Sequence, residues 1–513
     1  MCSRRTSVLR INMGVPMQRR EFVRSAVLAA ATLSTLRFVP VLARSGPTSD
    51  IPAVTADGRA VTLRGVEIRE LAQALKGQLL LRGDDGYDEA RLLLNPSFDK
   101  YPALVVQPTH VADVQNAVNF AREHNLLLAV KCGGHSHSGQ STCDRGMQID
   151  LKHLRGVTID PTAKLVSVKG GSLLGQVDRE SMAMGRVTPL GTVSHTGVGG
   201  LTLGGGFGRM ARRYGMAIDN LNSMDVVTAD GQLRHASSSE NPDLFWGLRG
   251  GSGNFGVVTN FEFKLHPMQR QVIAGKLIFP IEKARDVLSV FADYAQAAPD
   301  DLYFDPTVVL PPGGAPGVAQ MEVCYSGAAK NAERVLAPIR KIGSPMSDTI
   351  KAMDYVEVQR SGDMVDARML GTYIKGGFIA TMPAELIAAL VEGLKGDPRR
   401  TTAVFFQHCG GACGRVPEDA TAFANRYALA NMMVLSGWRH GDDPSEHIDA
   451  TRRYWSTLEK FTRGFYVNDM AREATAQDIN ANYRGNYTRL VELKTKYDPS
   501  NLFRLNANVQ PRA

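Results

Sequence analysis

The sequence is poor in cysteine for its length. Its 513 residues contain six cysteines, at positions 2, 132, 143, 324, 409 and 413. So few cysteines exclude a disulfide-stapled scaffold of this size. Cys409 and Cys413 form a CxxxC pair, but the chain lacks the second pair that a structural zinc site requires. We therefore predict no metal site and expect the cysteines to be structural residues.

Long apolar runs and clusters of basic residues are also missing. The apolar stretch at 26–36 has about half of the ~20 residues that a membrane-spanning helix needs. The formal net charge is +8, but residues 1–43 supply +6 of it through seven arginines and one glutamate, which leaves +2 for the remaining chain. That chain has no basic cluster of the kind that binds nucleic acid. We expect no nucleic-acid partner and no membrane span in the mature form.

The N-terminal segment has the features of an export signal in the usual order. The residues QRREFVR at 18–24 resemble a twin-arginine motif, the apolar stretch follows, and Val41-Leu42-Ala43 fits a small-residue cleavage site. A basic amphipathic helix is the alternative interpretation. We predict a twin-arginine (Tat) signal peptide over 1–43, with the Tat export machinery as a partner and a periplasmic or secreted mature protein. Because this route carries folded proteins, it also hints at a cofactor acquired before export.

Glycine, in contrast, is abundant, with 50 residues that occur mostly in clusters. A chain of this length exceeds what one hydrophobic core usually supports, so we expect at least two domains. Short strands, helices and Gly-rich turns alternate up to about residue 268. Beyond it, longer strands alternate with amphipathic helices and the glycine clusters nearly vanish. This change predicts a second α+β domain with an antiparallel sheet covered by helices on one face.

Periodicity predicts buried strands over 103–106 and 126–130, a helix over 111–124 with Thr109 as its N-cap, and a C-terminal helix over 483–497.

The second of these strands ends in KCGGHSHSGQS, residues 131–141. The two glycines permit a sharp turn or a close approach of the backbone to a ligand, and α/β folds place ligand loops at strand ends. His135 in this loop is a nucleophile, a ligand or a polar turn residue, and the loop alone leaves all three open.

Two further Gly-rich segments lie at 197–208 and 250–256. The first contains a GxGxxA match from Gly206 to Ala211, which taken alone suggests a dinucleotide fingerprint. That fingerprint must follow a β-strand, whereas here it follows another Gly-rich loop, so we interpret it as a false positive. Three Gly-rich loops within about 200 residues nevertheless offer many backbone N–H groups, which suit an extended pyrophosphate ligand.

Four segments, in this order, resemble those of one flavoenzyme superfamily. KCGGHSHSGQS resembles the histidine-bearing flavin loop of the vanillyl-alcohol-oxidase-like superfamily. Residues 197–220 and 241–263 resemble its second and third flavin loops, and 464–471 with 483–511 resemble the tail of its berberine-bridge-enzyme-like branch. The resemblance is close over about 65–268 and 464–511, and looser between them.

The resemblance implies an α+β fold in two parts. The first is a two-lobed FAD-binding domain of the PCMH type over 65–268, completed by 464–513. The second is a substrate domain over 269–463, built on an antiparallel sheet covered by helices.

The resemblance also implies FAD bonded through its 8α-methyl group to His135, whose neutral imidazole is a nucleophile. Some relatives have a second, cysteinyl tether, but this chain has Val193 at that position, so we expect a single histidyl link. The residues implied to contact the cofactor are Lys131, Cys132, Gly133, Gly134, His135, Ser136, Gln140, Ser141, Ser194, Thr196, Gly197, Gly200, Gly204, Gly205, Gly256, Val258 and Asn468.

For catalysis, the resemblance points to Tyr466 in the segment Tyr466-Val467-Asn468. In the family, such a tyrosine takes the substrate's proton as a hydride leaves for the flavin. A tyrosine acting as a base needs a pKa well below the usual ~10. A second acid/base glutamate of some relatives falls at Met433 here, and Gln407 is our polar candidate near it.

Together these residues predict an FAD-linked oxidoreductase that acts on a C–OH or C–NH centre of a small molecule. Oxygen is the expected acceptor and hydrogen peroxide the product, because Thr196, at a position that controls oxygen access in the family, is about the size of valine. The alternatives are a dehydrogenase that uses another acceptor and a flavin-binding protein without turnover.

Overall fold

The computed structural model describes residues 49–363, 367–471 and 473–512, so the predicted signal peptide over 1–43 lies outside the described residues. Residues Pro47–Ala513 form one compact unit, and the predicted boundaries at 268 and 464 stay a prediction. The helices are Gly65–Ala74, Tyr87–Arg91, Val111–Glu123, Leu174–Ala183, Val198–Leu203, Ala211–Tyr214, Pro242–Leu248, Ala284–Tyr294, Ala332–Arg340, Tyr355–Arg360, Ala384–Gly393, Ser445–Ser456, Ala476–Tyr483 and Tyr487–Tyr497.

A four-stranded sheet near the N-terminus carries the loop with His135. Its strands run in the order β3 (Gln78–Leu80), β4 (Leu104–Gln107), β6 (Met147–Asp150) and β5 (Leu128–Lys131), and the last three are parallel. The helix Val111–Glu123 packs its apolar face on these strands in one core. The predicted strands and helix of this region are therefore confirmed.

The N-terminus of that helix differs from the prediction. His110 rather than Thr109 is the N-cap. The backbone N–H groups of both residues donate to Oδ2 of Asp113, at 2.9 and 3.1 Å. The carboxylate of Asp113, the third residue of the helix, thus reaches back to the N-cap residue and the residue before it, as in one half of a capping box.

A second sheet and its core belong to the remaining Gly-rich region. It has the order β11 (Leu233–Ser237), β10 (Leu221–Val227), β12 (Val257–Lys264), β8 (Leu165–Lys169) and β7 (Val157–Asp160), and all its pairs are antiparallel. Two small sheets accompany it, β1 (Ile51–Val54) with β2 (Ala60–Leu63), and β9 (Arg186–Val187) with β13 (His266–Pro267).

The largest sheet is antiparallel and has eight strands. The order is β17 (Ser347–Asp348), β14 (Gln271–Pro280), β16 (Val318–Tyr325), β15 (Leu302–Leu310), β20 (Arg400–His408), β21 (Ala430–Arg439) and β19 (Leu370–Ile379), with β18 (Lys351–Asp354) also paired to β14. Helices Ala284–Tyr294, Ala332–Arg340, Ala384–Gly393 and Ser445–Ser456 contribute to one core with this sheet. The predicted α+β class, with an antiparallel sheet covered by helices, is confirmed.

Strand alternation decides what the uncovered face of this sheet presents. Phe304 and Met432 point into the helix-covered core, so their neighbours Asp305 and Met433 point to the opposite face. A cavity lies against that opposite face.

The C-terminal tail returns to the Gly-rich region. The helix predicted over 483–497 is present as Tyr487–Tyr497, and it is preceded by a short turn, Arg484–Asn486, and by a separate helix, Ala476–Tyr483. Among the described residues, no helix combines the length and apolar character needed to cross a bilayer.

Candidate active site

A cavity of about 540 Å³ lies between the Gly-rich loops and the uncovered face of the large sheet. We call these loops the first loop (131–141), the second loop (191–208) and the third loop (250–258). All three contribute to the lining, together with the C-terminal tail near 503–507. The sequence segments singled out by their glycines therefore meet at one place.

The first and second loops touch backbone to backbone. A Cβ atom added at Gly133 would overlap the backbone of Gly197, and one added at Gly197 would overlap the backbone nitrogen of Gly133. Gly134 follows with φ +74°, which favours glycine. The two adjacent glycines thus serve a close loop contact and a turn that presents His135.

His135 lies in the cavity lining, and its ring forms a pair with a second histidine. Its Nε2 is 2.7 Å from Nδ1 of His195 on the second loop, and the two rings are tilted by 34°. Burial lowers the pKa of His135 to about 3, with the neighbouring His195 and His137 contributing in the same direction. The imidazole is therefore neutral at any physiological pH, which is the nucleophilic form.

The cavity lining fits a large, polar, partly aromatic ligand such as FAD. Gly200 lines it, and a Cβ there would meet no atom within 4 Å, so packing within the protein does not explain the glycine. Ser141 Oγ and Asn506 Oδ1 are buried on residues that line the cavity and have no hydrogen-bond partner among the described residues. Unpaired buried polar atoms beside a cavity point to a polar ligand. The residues present therefore fit FAD.

Tyr466 lies in the cavity lining, but its surroundings differ from those that the prediction requires. Its hydroxyl oxygen accepts hydrogen bonds from the backbone N–H of Gly206, at 3.0 Å, and from Nδ2 of Asn468, at 2.7 Å. Its ring packs on Phe207 and Phe378. Burial raises its pKa well above the ordinary value, although both donors oppose that shift. The expected lowering of the Tyr466 pKa is thus not what the protein alone produces.

A chain of amides connects the sheet to the tail segment that follows Tyr466. Nδ2 of Asn431 donates to Oε1 of Gln407, at 2.9 Å, and to Oδ2 of Asp469, at 2.8 Å. Gln407 and Asp469 line the cavity, whereas Asn431 is fully buried behind them. The predicted candidate Gln407 is therefore at the site.

A charged cluster lies elsewhere on the same wall, where β15 and β16 pair Asp305 opposite Glu322. Glu322 accepts hydrogen bonds from Arg209, at 2.6 and 2.9 Å, and lies 3.4 Å from Nζ of Lys276. Asp305 accepts a hydrogen bond from the hydroxyl of Tyr303. Burial and the adjacent Glu322 raise the pKa of Asp305 to about 8, so this carboxyl holds its proton at neutral pH.

Most predicted cofactor contacts lie in the cavity lining. They are Cys132, Gly133, Gly134, His135, Ser136, Gln140, Ser141, Thr196, Gly197, Gly200, Gly256, Val258 and Asn468.

Lys131 and Ser194 are exceptions, because their side chains are engaged elsewhere. Nζ of Lys131 donates to the carbonyl of Ala90 and lies 3.4 Å from Oδ2 of Asp150, which is on β6 of the four-stranded sheet. The hydroxyl and backbone N–H of Ser194 donate to Asp363, at 2.5 and 2.8 Å. Both residues hold a loop in place rather than face the cavity.

Gly204 and Gly205 are the other two exceptions. A Cβ at Gly204 would overlap the side chain of Asn468, and one at Gly205 would crowd Met216. These glycines make room for protein side chains, and neither is in the cavity lining.

Sequence reasoning missed Asp469, Asp305 and the pairing partner of His135. Asp469 directly follows the Tyr-x-Asn segment, so the sequence alone could have indicated that it lies near Tyr466. The place of Asp305 depends on which face of a strand meets the cavity, and the His195 contact depends on how two loops pack. Neither can be obtained from local spacing.

The comparison with known families agrees with this geometry. Residues 102–237 match the FAD binding domain family, and residues 466–510 match the family described as berberine and berberine like. An FAD-linked oxidoreductase of Dictyostelium discoideum is 30% identical, over 86% of this chain and 97% of its own. The (R)-6-hydroxynicotine oxidase of Paenarthrobacter nicotinovorans is 29% identical, over 85% and 97%.

A solved structure of glucooligosaccharide oxidase from Acremonium strictum shares the fold with a TM-score of 0.78 and 25% identity, covering 86% of this chain and 98% of that one. That enzyme is described with a 6-S-cysteinyl, 8α-N1-histidyl FAD. The predicted PCMH-type fold and flavoenzyme class are confirmed by these similarities. The chain is an FAD-linked oxidoreductase and belongs to the berberine-bridge-enzyme-like branch of the vanillyl-alcohol-oxidase-like family.

Proposed function

We propose that this protein is an exported oxidase that holds FAD covalently through His135 and oxidises a C–OH or C–N centre of a small molecule, with oxygen as the acceptor and hydrogen peroxide as the product. The observation that carries the proposal is the neutral imidazole of His135 in the lining of the cavity that the three Gly-rich loops enclose. A nucleophile there has no evident use in binding alone.

A single covalent bond is the proposed attachment. Val193 occupies the cavity lining on the second loop, where the resemblance would place a cysteinyl tether. The cysteine in the described part of the lining is Cys132, and burial raises its pKa to about 11. A neutral, buried thiol is a poor nucleophile.

In the proposed holoenzyme, FAD supplies the hydride acceptor. The first and second loops bind it, with His135 as the tether, and Ser141 and Asn506 offer it unpaired polar atoms. Gln407 lines the cavity from the large sheet, and Asn468 donates a hydrogen bond to the Tyr466 hydroxyl oxygen. The Tyr466 oxygen accepts hydrogen bonds from two N–H donors, and these bonds would stabilise negative charge on that oxygen against the burial that disfavours it.

The substrate class follows from the relatives. One is named for the oxidation of hydroxynicotine and another for that of glucooligosaccharides, which are a C–N and a C–OH substrate. The cavity of this chain combines apolar walls, such as Phe405 and Met433, with carboxyl and amide groups, so both classes are suitable probes.

Export and the oxygen acceptor rest on separate features. The twin-arginine segment at 18–24 supports export. The small side chain of Thr196, which lines the cavity, supports access of oxygen.

Acid denaturation of the purified mature chain tests the proposal. We expect yellow flavin to stay with wild-type protein and to be lost from His135→Ala, while an exposed histidine variant, His153→Asn, keeps it. Peroxide release is then screened with (R)-6-hydroxynicotine, xylobiose and a benzylic alcohol. Flavin that washes out of the wild type contradicts the tether. Reduction of the flavin without peroxide favours a dehydrogenase, and no reduction by any probe favours binding without turnover.

A further inference from the structure

We propose that Asp469 is a catalytic residue of this site, whose carboxylate takes the proton of the substrate's O–H or N–H group. The inference rests on the proposed function, because it needs a substrate that is oxidised in the cavity. It assigns a role to a side chain that motif spacing did not single out.

Asp469 is the carboxyl of the cavity that the protein leaves available. Three carboxyl residues occur in the described lining, namely Asp305, Glu322 and Asp469. Glu322 is neutralised by Arg209 and Lys276. Asp305 lies opposite Glu322, and burial and that carboxylate raise its pKa to about 8, so it already holds the proton that a base would have to accept. Among the described residues, Asp469 has one side-chain donor, Asn431. One of its two oxygens is therefore free to accept a bond from a ligand.

The turn that carries Asp469 fixes its position beside Tyr466. Val467–Asp469 form a single helical turn whose last N–H donates to the carbonyl of Tyr466, at 2.9 Å. Tyr466 is only 3% exposed and its oxygen already accepts two hydrogen bonds. Asp469 is less buried and faces the cavity, so it is the better placed of the two groups to reach a substrate proton.

Asn431 aims this carboxylate. Its Nδ2 uses both hydrogens, one on Gln407 and one on Asp469. The amide is fully buried on β21, which keeps the geometry rigid. Because Oε1 of Gln407 is turned toward Asn431, the Gln407 amide can present its own hydrogens to the substrate. A donor and a proton acceptor are thus held next to each other.

Charged groups around Asp469 set the pH at which it acts. Burial raises its pKa, and the hydrogen bond from Asn431 and the nearby His137 of the first loop offset part of that rise. Tyr466 precedes it, and Lys375 on the neighbouring β19 is held by Glu473, at 3.2 Å. A carboxylate whose pKa lies above its ordinary value is a stronger proton acceptor than an ordinary aspartate.

The proposed step balances in atoms and electrons. The substrate carbon gives up its hydrogen with two electrons to oxidised flavin. The O–H or N–H proton of the same centre passes to a carboxylate oxygen of Asp469, and a C=O or C=N bond forms. The carboxyl then releases its proton to solvent, and oxygen accepts the electrons as the proposed function states.

Sulfite titration of the holoenzyme tests the charge of Asp469 without a substrate. Sulfite adds as an anion to the reacting nitrogen of oxidised flavins and removes their visible absorbance. The inference requires Asp469 to reach the substrate group that the bound flavin would oxidise, so its carboxylate would repel this anion, and Asp469→Asn should bind sulfite about tenfold more tightly at neutral pH. The difference should vanish at acidic pH, where Asp469 is protonated. Glu473→Gln, which removes a nearby carboxylate outside the lining, should bind sulfite like the wild type.

A second measurement concerns the proton itself. With a substrate found in the screen, flavin reduction in the wild type should slow as the pH falls through the pKa of Asp469. Asp469→Asn should lose that pH dependence and about 100-fold in rate at neutral pH, and Asp469→Glu should regain part of it.

An unchanged sulfite affinity in yellow Asp469→Asn and Asp469→Ala proteins overturns the inference, as does an unchanged reduction rate. A wild-type protein without flavin would instead overturn the proposed function.

Discussion

Burial controls the chemistry of His135. A solvent-exposed imidazole is partly protonated near neutral pH, whereas this ring keeps its lone pair because its pKa falls to about 3. The contact with His195 also determines which nitrogen of His135 can react. A hydrogen bond of 2.7 Å engages Nε2 of His135, so Nδ1 is left to form a new bond. The N–H proton must leave when that bond forms, and His195 is the adjacent acceptor.

We predict that His195→Leu slows covalent attachment of FAD by about tenfold or more, because general bases contribute at least that much to proton transfer. The measurement is the time course of acid-stable flavin after FAD is added to apoprotein. His195→Gln, which keeps a hydrogen-bonding group but no base, should also be slow. A rate equal to that of the wild type in both variants would mean that His195 only packs against the ring.

Single residues differ in how far the sequence predicts them. The lining positions of His135, Gly200 and Asn468 follow from motif order, because each lies on a short segment whose neighbours are fixed. Lys131 belongs to the same motif, but its long side chain reaches back to Asp150 and is not in the cavity lining. The motif predicts where the backbone passes but not where a flexible side chain ends.

At the scale of elements, glycines of the second loop have two different roles: one permits a close contact between loops, and the other leaves space in the cavity. Gly197 is needed by the protein, since a Cβ there would overlap the first loop. Gly200 lies inside the helix Val198–Leu203 and has open space on its Cβ side. The protein alone would tolerate alanine at that position, and helix propensity would favour it.

We therefore predict opposite stability effects from two similar substitutions. Gly200→Ala should raise the free energy of unfolding of the apoprotein by about 0.5–1 kcal/mol and yet weaken FAD binding, because the methyl group enters the cavity. Gly197→Ala should lower stability by about 1–3 kcal/mol and weaken FAD binding as well. Urea unfolding of both apoproteins and flavin titration measure the two effects. Equal FAD affinity of Gly200→Ala and wild type would show that the cofactor does not pass Gly200.

Elements with a strong apolar periodicity could be predicted from the sequence, whereas the exact ends of helices and the connections between elements could not. The strands predicted over 103–106 and 126–130 appear as Leu104–Gln107 and Leu128–Lys131, and the helix predicted over 111–124 as Val111–Glu123. The C-terminal helix begins at Tyr487 rather than at the predicted residue 483, because Arg484 has φ +54° and ends the preceding helix there. A positive φ in a non-glycine residue leaves no sequence pattern. The order of the strands, which for example places β15 next to β20, depends on contacts distant in sequence.

At the scale of the whole molecule, the C-terminal tail closes the site. Residues from the tail supply Tyr466, Asn468 and Asp469 on one side of the cavity and Asn506 on another. The tail is anchored through Lys494, which is fully buried. Its Nζ donates to Asp498, to the carbonyl of Asn254 on the third loop and to that of Phe503. One ammonium group therefore joins the last helix, the third loop and the terminal segment.

We predict that Lys494→Met destabilises the protein by about 3–5 kcal/mol, because Asp498 would be left as a buried carboxylate without its partner. FAD binding should weaken in the same variant, since the third loop and the segment with Asn506 lose a common anchor. Lys496→Met is the matched control, because Lys496 forms an exposed pair with Asp243 and should change stability by less than about 1 kcal/mol. Chemical unfolding and flavin titration of both variants give the comparison.

If Lys494→Met lost stability but bound FAD as tightly as the wild type, the tail would be a structural clamp that leaves the cofactor loops unaffected. A parallel loss of both would mean that the tail and the cofactor loops fold as one unit.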